Sequence, residues 1–270
     1  MTWEATITTV ELATHTAIHH RYPQGLTLTE NLLSPEDYDR VLRSILSAFH
    51  AIECDTSEVI TPRGAKKPKR KRTAIHYGPQ FDYSTNHVVE NPTPIPDWMA
   101  PIITKLPVEI NQATLQYYPP GAGIPPHIDT HSCFGSHIIS YSAGSAVAFE
   151  FKPATSHTAE KMFAPRRVKG GPSMTPKSPS PDPNDPSEAG SQAVEVLLPG
   201  NSLCVMENEV RYAWTHGIRS RATDTINGQT VPRGNRFSIT FRYVSFDGVC
   251  KCQFPNWCDT RHQAENTPDT

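Results

Sequence analysis

Arg236-Phe237-Ser238-Ile239-Thr240-Phe241-Arg242 alternates polar and apolar side chains without a break. Period two marks a strand with one face in a core, so Phe237, Ile239 and Phe241 point one way and Arg236, Ser238, Thr240 and Arg242 the other. Two arginines on the polar face suit a dicarboxylate, because a guanidinium binds carboxylate oxygens as a bidentate fork. Upstream, Pro125-Pro126-His127-Ile128-Asp129-Thr130-His131 holds an His-x-Asp pair, and Trp214-Thr215-His216-Gly217-Ile218 offers a second histidine. On an extended segment residues 127 and 129 face the same side. An imidazole, a carboxylate and a distant imidazole form the 2-His-1-carboxylate set that holds non-haem Fe(II) with positions left open. The order H-x-D, distant His, R-x-S-x-T-x-R therefore reads as iron with 2-oxoglutarate. Solvated arginines on a two-sided strand would explain the last segment, but not its place after two metal-type motifs.

Segments 113–118, 137–142, 146–151, 194–198 and 202–206 share the β character of 237–244 and are separated by Pro, Gly and Asn. Short strands punctuated in this way predict a double-sheet jelly roll. Ahead of them, Ser34-Pro35-Glu36-Asp37 places Ser at the N-cap, Pro at N1 and acids in the first turn of a helix. Its apolar stripe is Val41, Leu42, Ile45, Leu46 and Phe49. A shorter helix is expected after Pro96, with Trp98, Ile102 and Ile103 packing inward. Helices followed by strands predict one α+β domain. Residues 164–193 are rich in Pro, Ser, Asp and Gly, which predicts a disordered insertion. Residues 222–235 read as a smaller polar loop.

These motifs resemble the AlkB family of Fe(II)/2-oxoglutarate dioxygenases, whose pattern is an asparagine and a tyrosine before a P-G turn, then H-x-D, a remote His, and R-x-x-x-T-F-R. Gln116-Tyr117-Tyr118-Pro119-Pro120-Gly121 keeps the tyrosine at 118 and puts Gln116 where the family usually has asparagine; both are side-chain amides. By resemblance, His127, Asp129 and His216 would ligate iron, while Gln116, Tyr118, Arg236 and Arg242 would hold 2-oxoglutarate. The family fold agrees with the jelly-roll core.

Cys250-Lys251-Cys252-Gln253-Phe254-Pro255-Asn256-Trp257-Cys258 sets three thiols at C-x-C-x5-C spacing. Thiolates so spaced favour tetrahedral zinc with a fourth ligand from elsewhere; free thiols in a reducing compartment are the alternative. Together with G-I-P-P-H-I-D-T-H, the cluster resembles the AlkB homologue eight subgroup. That resemblance implies a structural zinc whose fourth ligand is His131. Residues 250–270 would then be a zinc-binding tail packed on an oxygenase domain of residues 1–249. Cys54, Cys133 and Cys204 read as small buried hydrophobes.

The net charge of −2 gives no global attraction to nucleic acid. Arg63, Lys66, Lys67, Lys69, Arg70, Lys71 and Arg72 nevertheless concentrate seven positive charges in ten residues. Contact with phosphates, a nuclear targeting signal and simple solvation all account for such a run. The run leads into His76, Tyr77, Phe81 and Tyr83, aromatic side chains suited to stacking on a base. Lys69, Arg70, Arg72, Tyr77, Phe81 and Tyr83 are thus the substrate-binding candidates. No apolar run reaches the length of a membrane span, and six cysteines with two metal signatures fit a reducing compartment. The expectation is a monomer in the cytoplasm, with the basic run also allowing the nucleus.

The subgroup resemblance implies hydroxylation of 5-methoxycarbonylmethyluridine at the wobble position of tRNA. Oxidative demethylation of N-methylated bases in RNA or DNA is the alternative. No RNP-like aromatic motif lies in the first thirty residues, and twelve residues follow Cys258. A stand-alone oxygenase whose substrate is made by a separate tRNA methyltransferase is expected on that ground.

Overall fold

Ser34 Oγ accepts a hydrogen bond from the Asp37 amide at 3.2 Å, so the sequence's N-cap is the observed one. Helix α1 (Pro35–Glu53) then buries Val41, Ile45 and Phe49, with Leu42 half-buried beside them. Leu46 departs from the expected stripe: it is 37% exposed, at the margin of the contact. The computed structural model describes residues 23–53, 72–82, 87–90, 93–155, 193–226, 228–247 and 250–260. Lys69, Arg70, Tyr83, Cys54, the rest of the basic run before Arg72 and the insertion up to residue 192 lie outside them.

Fourteen described strands follow the order β1 (Leu26–Thr29), β2 (Thr73–Tyr77), β3 (Gln80–Asp82), β4 (His87–Val89), β5 (Gln112–Tyr118), β6 (Ile124–His127), β7 (Phe134–Gly144), β8 (Val147–Pro153), β9 (Val194–Leu198), β10 (Ser202–Met206), β11 (Trp214–Ile218), β12 (Thr223–Ile226), β13 (Gln229–Pro232) and β14 (Arg236–Val244). A six-stranded sheet runs β1-β10-β7-β14-β5-β2 and a four-stranded sheet runs β6-β11-β8-β9, with antiparallel pairing throughout. Chain-consecutive strands from β5 to β8, and again from β9 to β11, alternate between the sheets, as the jelly-roll reading requires. Two short helices, α2 (Ala100–Ile103) after a 3-10 turn and α3 (Asn208–Tyr212), complete the described elements used below. No described helix is long and apolar enough to cross a membrane.

The alternation along β14 sorts the protein into two cores. Phe237, Ile239 and Phe241 join Ala113 and Leu115 of β5 beneath α1 and α2, where Met99 and Ile102 also pack. Between the sheets, Ile138, Cys204 and Met206 meet Phe149, Phe151, Val196, Leu198 and Ile218. Cys133 and Cys204 are buried, as expected of small hydrophobes.

The segment 222–235 is not a plain polar loop. Asp224 on β12 accepts two hydrogen bonds from Arg233 at 2.7 Å each, one from Arg221 at 2.7 Å and one from the Ala148 amide at 3.1 Å. A buried ion pair thereby closes the β12–β13 hairpin and the Ala148 amide fastens it to β8, which polar composition alone did not reveal. Removing one member of such a pair strands the other charge away from water and costs about 3–5 kcal/mol. Asp224→Ala is expected to lower unfolding free energy by that order in denaturant titrations, and a change under about 1 kcal/mol would contradict the assignment.

Candidate functional site

The polar face of β14 and the end of β6 meet between the sheets. Strand β6 pairs with β11 so that His127 lies opposite His216, and the register slips by one residue before Ile124 meets Ile218. That bulge falls at Pro125-Pro126, where proline cannot donate to a regular ladder. Gly217 makes the approach feasible: a Cβ there would lie 2.9 Å from Pro126 Cα. The two imidazoles come to a centroid separation of 4.5 Å. His127 Nδ1 is 2.9 Å from the Pro125 carbonyl oxygen. A carbonyl only accepts, so that nitrogen carries the proton and Nε2 is left with its lone pair for a cation.

Asp129 stands differently from the expectation of one shared strand face. Strand β6 stops at His127, and the carboxylate is set by the loop that follows. Asp129 is 4% exposed, and Arg242 donates to its two oxygens in three contacts of 3.3 Å. Burial alone would raise its carboxyl pKa; Arg242, both imidazoles and Arg211 outweigh burial and hold it well below the carboxylate range. Burial pushes His216 down to about 3, helped by His127 and opposed by Asp129. Asp129 is thus held as a carboxylate and His216 as a neutral imidazole, the protonation states that metal ligation requires.

Beside it, β5 and β14 pair Tyr118 with Arg236 and Gln116 with Ser238. Arg236 is 4% exposed and lies over the Tyr118 ring at 5.1 Å. It donates once, to Ser142 Oγ at 2.9 Å, while its Nε and Nη1 have no hydrogen-bond partner among the described residues. A buried guanidinium with two idle donors fits an absent carboxylate, as 2-oxoglutarate would provide. His216 Nδ1 is likewise buried without a partner. Gln116 is already engaged: its Oε1 accepts from Tyr118 Oη at 2.6 Å and Arg72 Nη1 at 2.8 Å. Arg242 also reaches Gln112 and Thr114, so it braces the triad while Arg236 keeps its donors open.

Of the substrate candidates, Arg72 faces this site. Tyr77 does not: it is buried with Ile75 under α1, on the opposite face of β2. Period two instead brings His76 over, its Nδ1 3.2 Å from Thr114 Oγ1. Phe81 lies on β3, in the hairpin with β4. Arg211 and Asp259, discussed below, went unnoticed in the sequence because a helical arginine and a terminal aspartate carry no periodic signal.

The second cluster forms as the cysteine spacing and His131 anticipated. Ligand atoms of His131, Cys250, Cys252 and Cys258 lie within 4.8 Å of one another, and His131 Nδ1 is 3.5 Å from Cys252 Sγ. Burial raises the Cys250 thiol to about 12, and burial with nearby Arg211 lowers His131 to about 3. Three thiols crowded in this way cannot all ionise without a cation among them, which is the donor chemistry of a tetrahedral metal site.

The sequence profile of the 2OG-Fe(II) oxygenase superfamily matches residues 25–242. The chain belongs to that superfamily. Membership makes it a 2-oxoglutarate-dependent dioxygenase with Fe(II) as the implied metal, and the donor set described above fits both groups. A Xenopus tropicalis protein named tRNA (carboxymethyluridine(34)-5-O)-methyltransferase alkbh8 is 32% identical over 92% of this chain and 36% of its own length. The Arabidopsis thaliana alkylated DNA repair protein ALKBH8 homolog is 28% identical over 72% of this chain and 55% of its own. The solved structure of OsALKBH1 superposes with a TM-score of 0.50 at 14% identity, covering 83% of this chain and 99% of that one, and bears on the fold alone. The chain spans about a third of the length of the first of these relatives, 36%.

His131 and His216 are neutral when folded and regain a pKa near 6.5 when unfolded, so the unfolded chain binds more protons between pH 6.5 and 3. Stability therefore falls as pH drops through that window, and Asp129 acts in the same direction below its unfolded pKa of 3.8. Metal-free protein is expected to melt at lower temperature at pH 5 than at pH 7. Equal melting temperatures would overturn this.

Proposed function

We propose that this chain hydroxylates the side chain of 5-methoxycarbonylmethyluridine at the wobble position of tRNA, with His127, Asp129 and His216 as the iron ligands. The observation that carries the reading is the convergence of those three residues beside the idle donors of Arg236. The choice of substrate is supported by the G-I-P-P-H-I-D-T-H motif and by relatives whose names specify carboxymethyluridine 34 of tRNA.

When bound, Fe(II) with 2-oxoglutarate supplies oxidation of a substrate C–H bond by dioxygen, coupled to decarboxylation to succinate and carbon dioxide. The protein's residues set the conditions for it. Arg236 would hold a carboxylate of the cosubstrate, with Tyr118 beneath the guanidinium and the Tyr118 hydroxyl tied to Gln116. Arg242 keeps the Asp129 carboxylate ionised and fixed in direction. The Pro125 carbonyl holds the His127 tautomer. His216, buried against Phe149, keeps water from one side of the site. Arg72 and His76 stand on the same sheet face, positioned for an anionic nucleotide. His131, Cys250, Cys252 and Cys258 would hold a structural zinc. The expectation of a separate methyltransferase partner has no support in the similarities found.

Incubation of tRNA bearing the methyl ester uridine with the protein, Fe(II) and 2-oxoglutarate is expected to yield the hydroxylated nucleoside by mass spectrometry. Unchanged ester uridine would sink the reading. The name of the Arabidopsis relative favours a second one, oxidative demethylation of alkylated bases, which releases formaldehyde where side-chain hydroxylation releases none. Charged hydrogen bonds contribute about 1.5–3 kcal/mol each, so Arg236→Met is expected to raise the KM for 2-oxoglutarate at least about tenfold. Metal analysis is expected to find zinc in the wild type and its loss in Cys258→Ser; equal contents would exclude that site.

A further inference from the structure

Arg211, on α3, is 1% exposed and faces no carboxylate within hydrogen-bond reach among the described residues. Its guanidinium instead donates to four backbone carbonyls, two in the loop after β6 and two at the start of β7: Nη1 to Asp129 at 2.8 Å, Nη2 to Thr130 at 3.2 Å and Phe134 at 3.1 Å, and Nε to Gly135 at 3.2 Å. Burying a cation without an adjacent counter-ion is costly, and a chain keeps one only where its donors are all occupied. Here they converge on the seven residues that carry both Asp129 and His131.

The other side of the loop is gripped from the tail. Asp259 Oδ1 accepts from the amides of His131 at 3.1 Å and Ser132 at 3.0 Å, and Oδ2 accepts from Ser132 Oγ. Tyr212 links the two grips. Its ring lies under Arg211 at 4.7 Å, edge-on to His131 at 4.9 Å and stacked on Phe254 of the tail at 5.7 Å. A carbonyl-side clamp and an amide-side clamp leave the loop backbone no free direction in which to turn the Asp129 side chain.

We propose that Arg211 is a positioning residue for the iron site, aiming Asp129 by fixing the loop between β6 and β7 to the start of β7, and that Asp259 serves the same loop from the tail. The inference rests on the assignment of Asp129, His127 and His216 to iron. An ammonium cannot span four carbonyls spread over this loop and the start of β7, so Arg211→Lys preserves charge while breaking the clamp.

Anaerobic titration of Fe(II) in the presence of 2-oxoglutarate, followed by the visible charge-transfer band, reads the site without turnover. Outer groups that orient a ligand typically change metal affinity about 10–100-fold when removed, and a weakening of that size with an altered band is expected for Arg211→Lys. Zinc content is expected to stay at the wild-type level, since the four candidate zinc ligands are untouched. A merely structural role would lower the melting temperature of the folded variant and leave both Fe(II) affinity and band unchanged, which overturns the inference. If Arg211→Lys does not fold, Asp259→Asn decides: weaker Fe(II) binding supports the shared loop, and wild-type binding refutes it. Wild-type protein that shows no Fe(II) band at all would instead refute the iron assignment.

Discussion

Asp129 is a carboxylate with 4% exposure, and everything around it is arranged to keep it charged and still. Arg242 reaches it from β14 and Arg211 holds its carbonyl from α3, while two imidazoles stand near enough to lower its pKa. A buried carboxylate costs several kcal/mol unless its oxygens are occupied and its charge is opposed. The arginines offset that cost. The strand that carries Arg242 therefore has to pair centrally, between β5 and β7, and the sheet is built about that requirement.

The two arginines of β14 have separated roles despite their identical chemistry. Arg242 and Arg236 are six residues apart on one face, but their neighbours differ. Arg242 meets Asp129, Gln112 and Thr114, whereas Arg236 meets the Tyr118 ring and a single hydroxyl. Saturated donors brace a structure; idle donors wait for a ligand. The same contrast distinguishes the triad, where His216 has an idle nitrogen, from the Asp224–Arg233 pair, where each charge is fully matched.

His131 of the cysteine cluster stands two residues after Asp129 and four after His127, whereas its three cysteines come from the tail more than a hundred residues later. Backbone hydrogen bonds and one aromatic stack join the tail to the loop that carries Asp129 and His131, so ordering the tail orders Asp129. Such a connection needs no movement of large elements. It works because a short loop clamped on its amides and its carbonyls has few conformations left.

Local pattern carried much of this protein in readable form. Period two along 236–242 decided which side chains enter the core and which enter the site, and Ser34-Pro35 decided where α1 begins, because both are consequences of backbone geometry over a few residues. The residue types at 127, 129 and 216 announced metal chemistry for the same local reason. Other features were settled only by folding. Whether Tyr77 or His76 faces the site depends on which face of β2 α1 covers. The polar stretch 222–235 becomes a fastened hairpin only because Arg233 folds back on Asp224 and the Ala148 amide of β8 reaches the same carboxylate. Arg211 acquires its place from carbonyls about eighty residues away in the chain, a partnership between backbone groups that no side-chain pattern encodes.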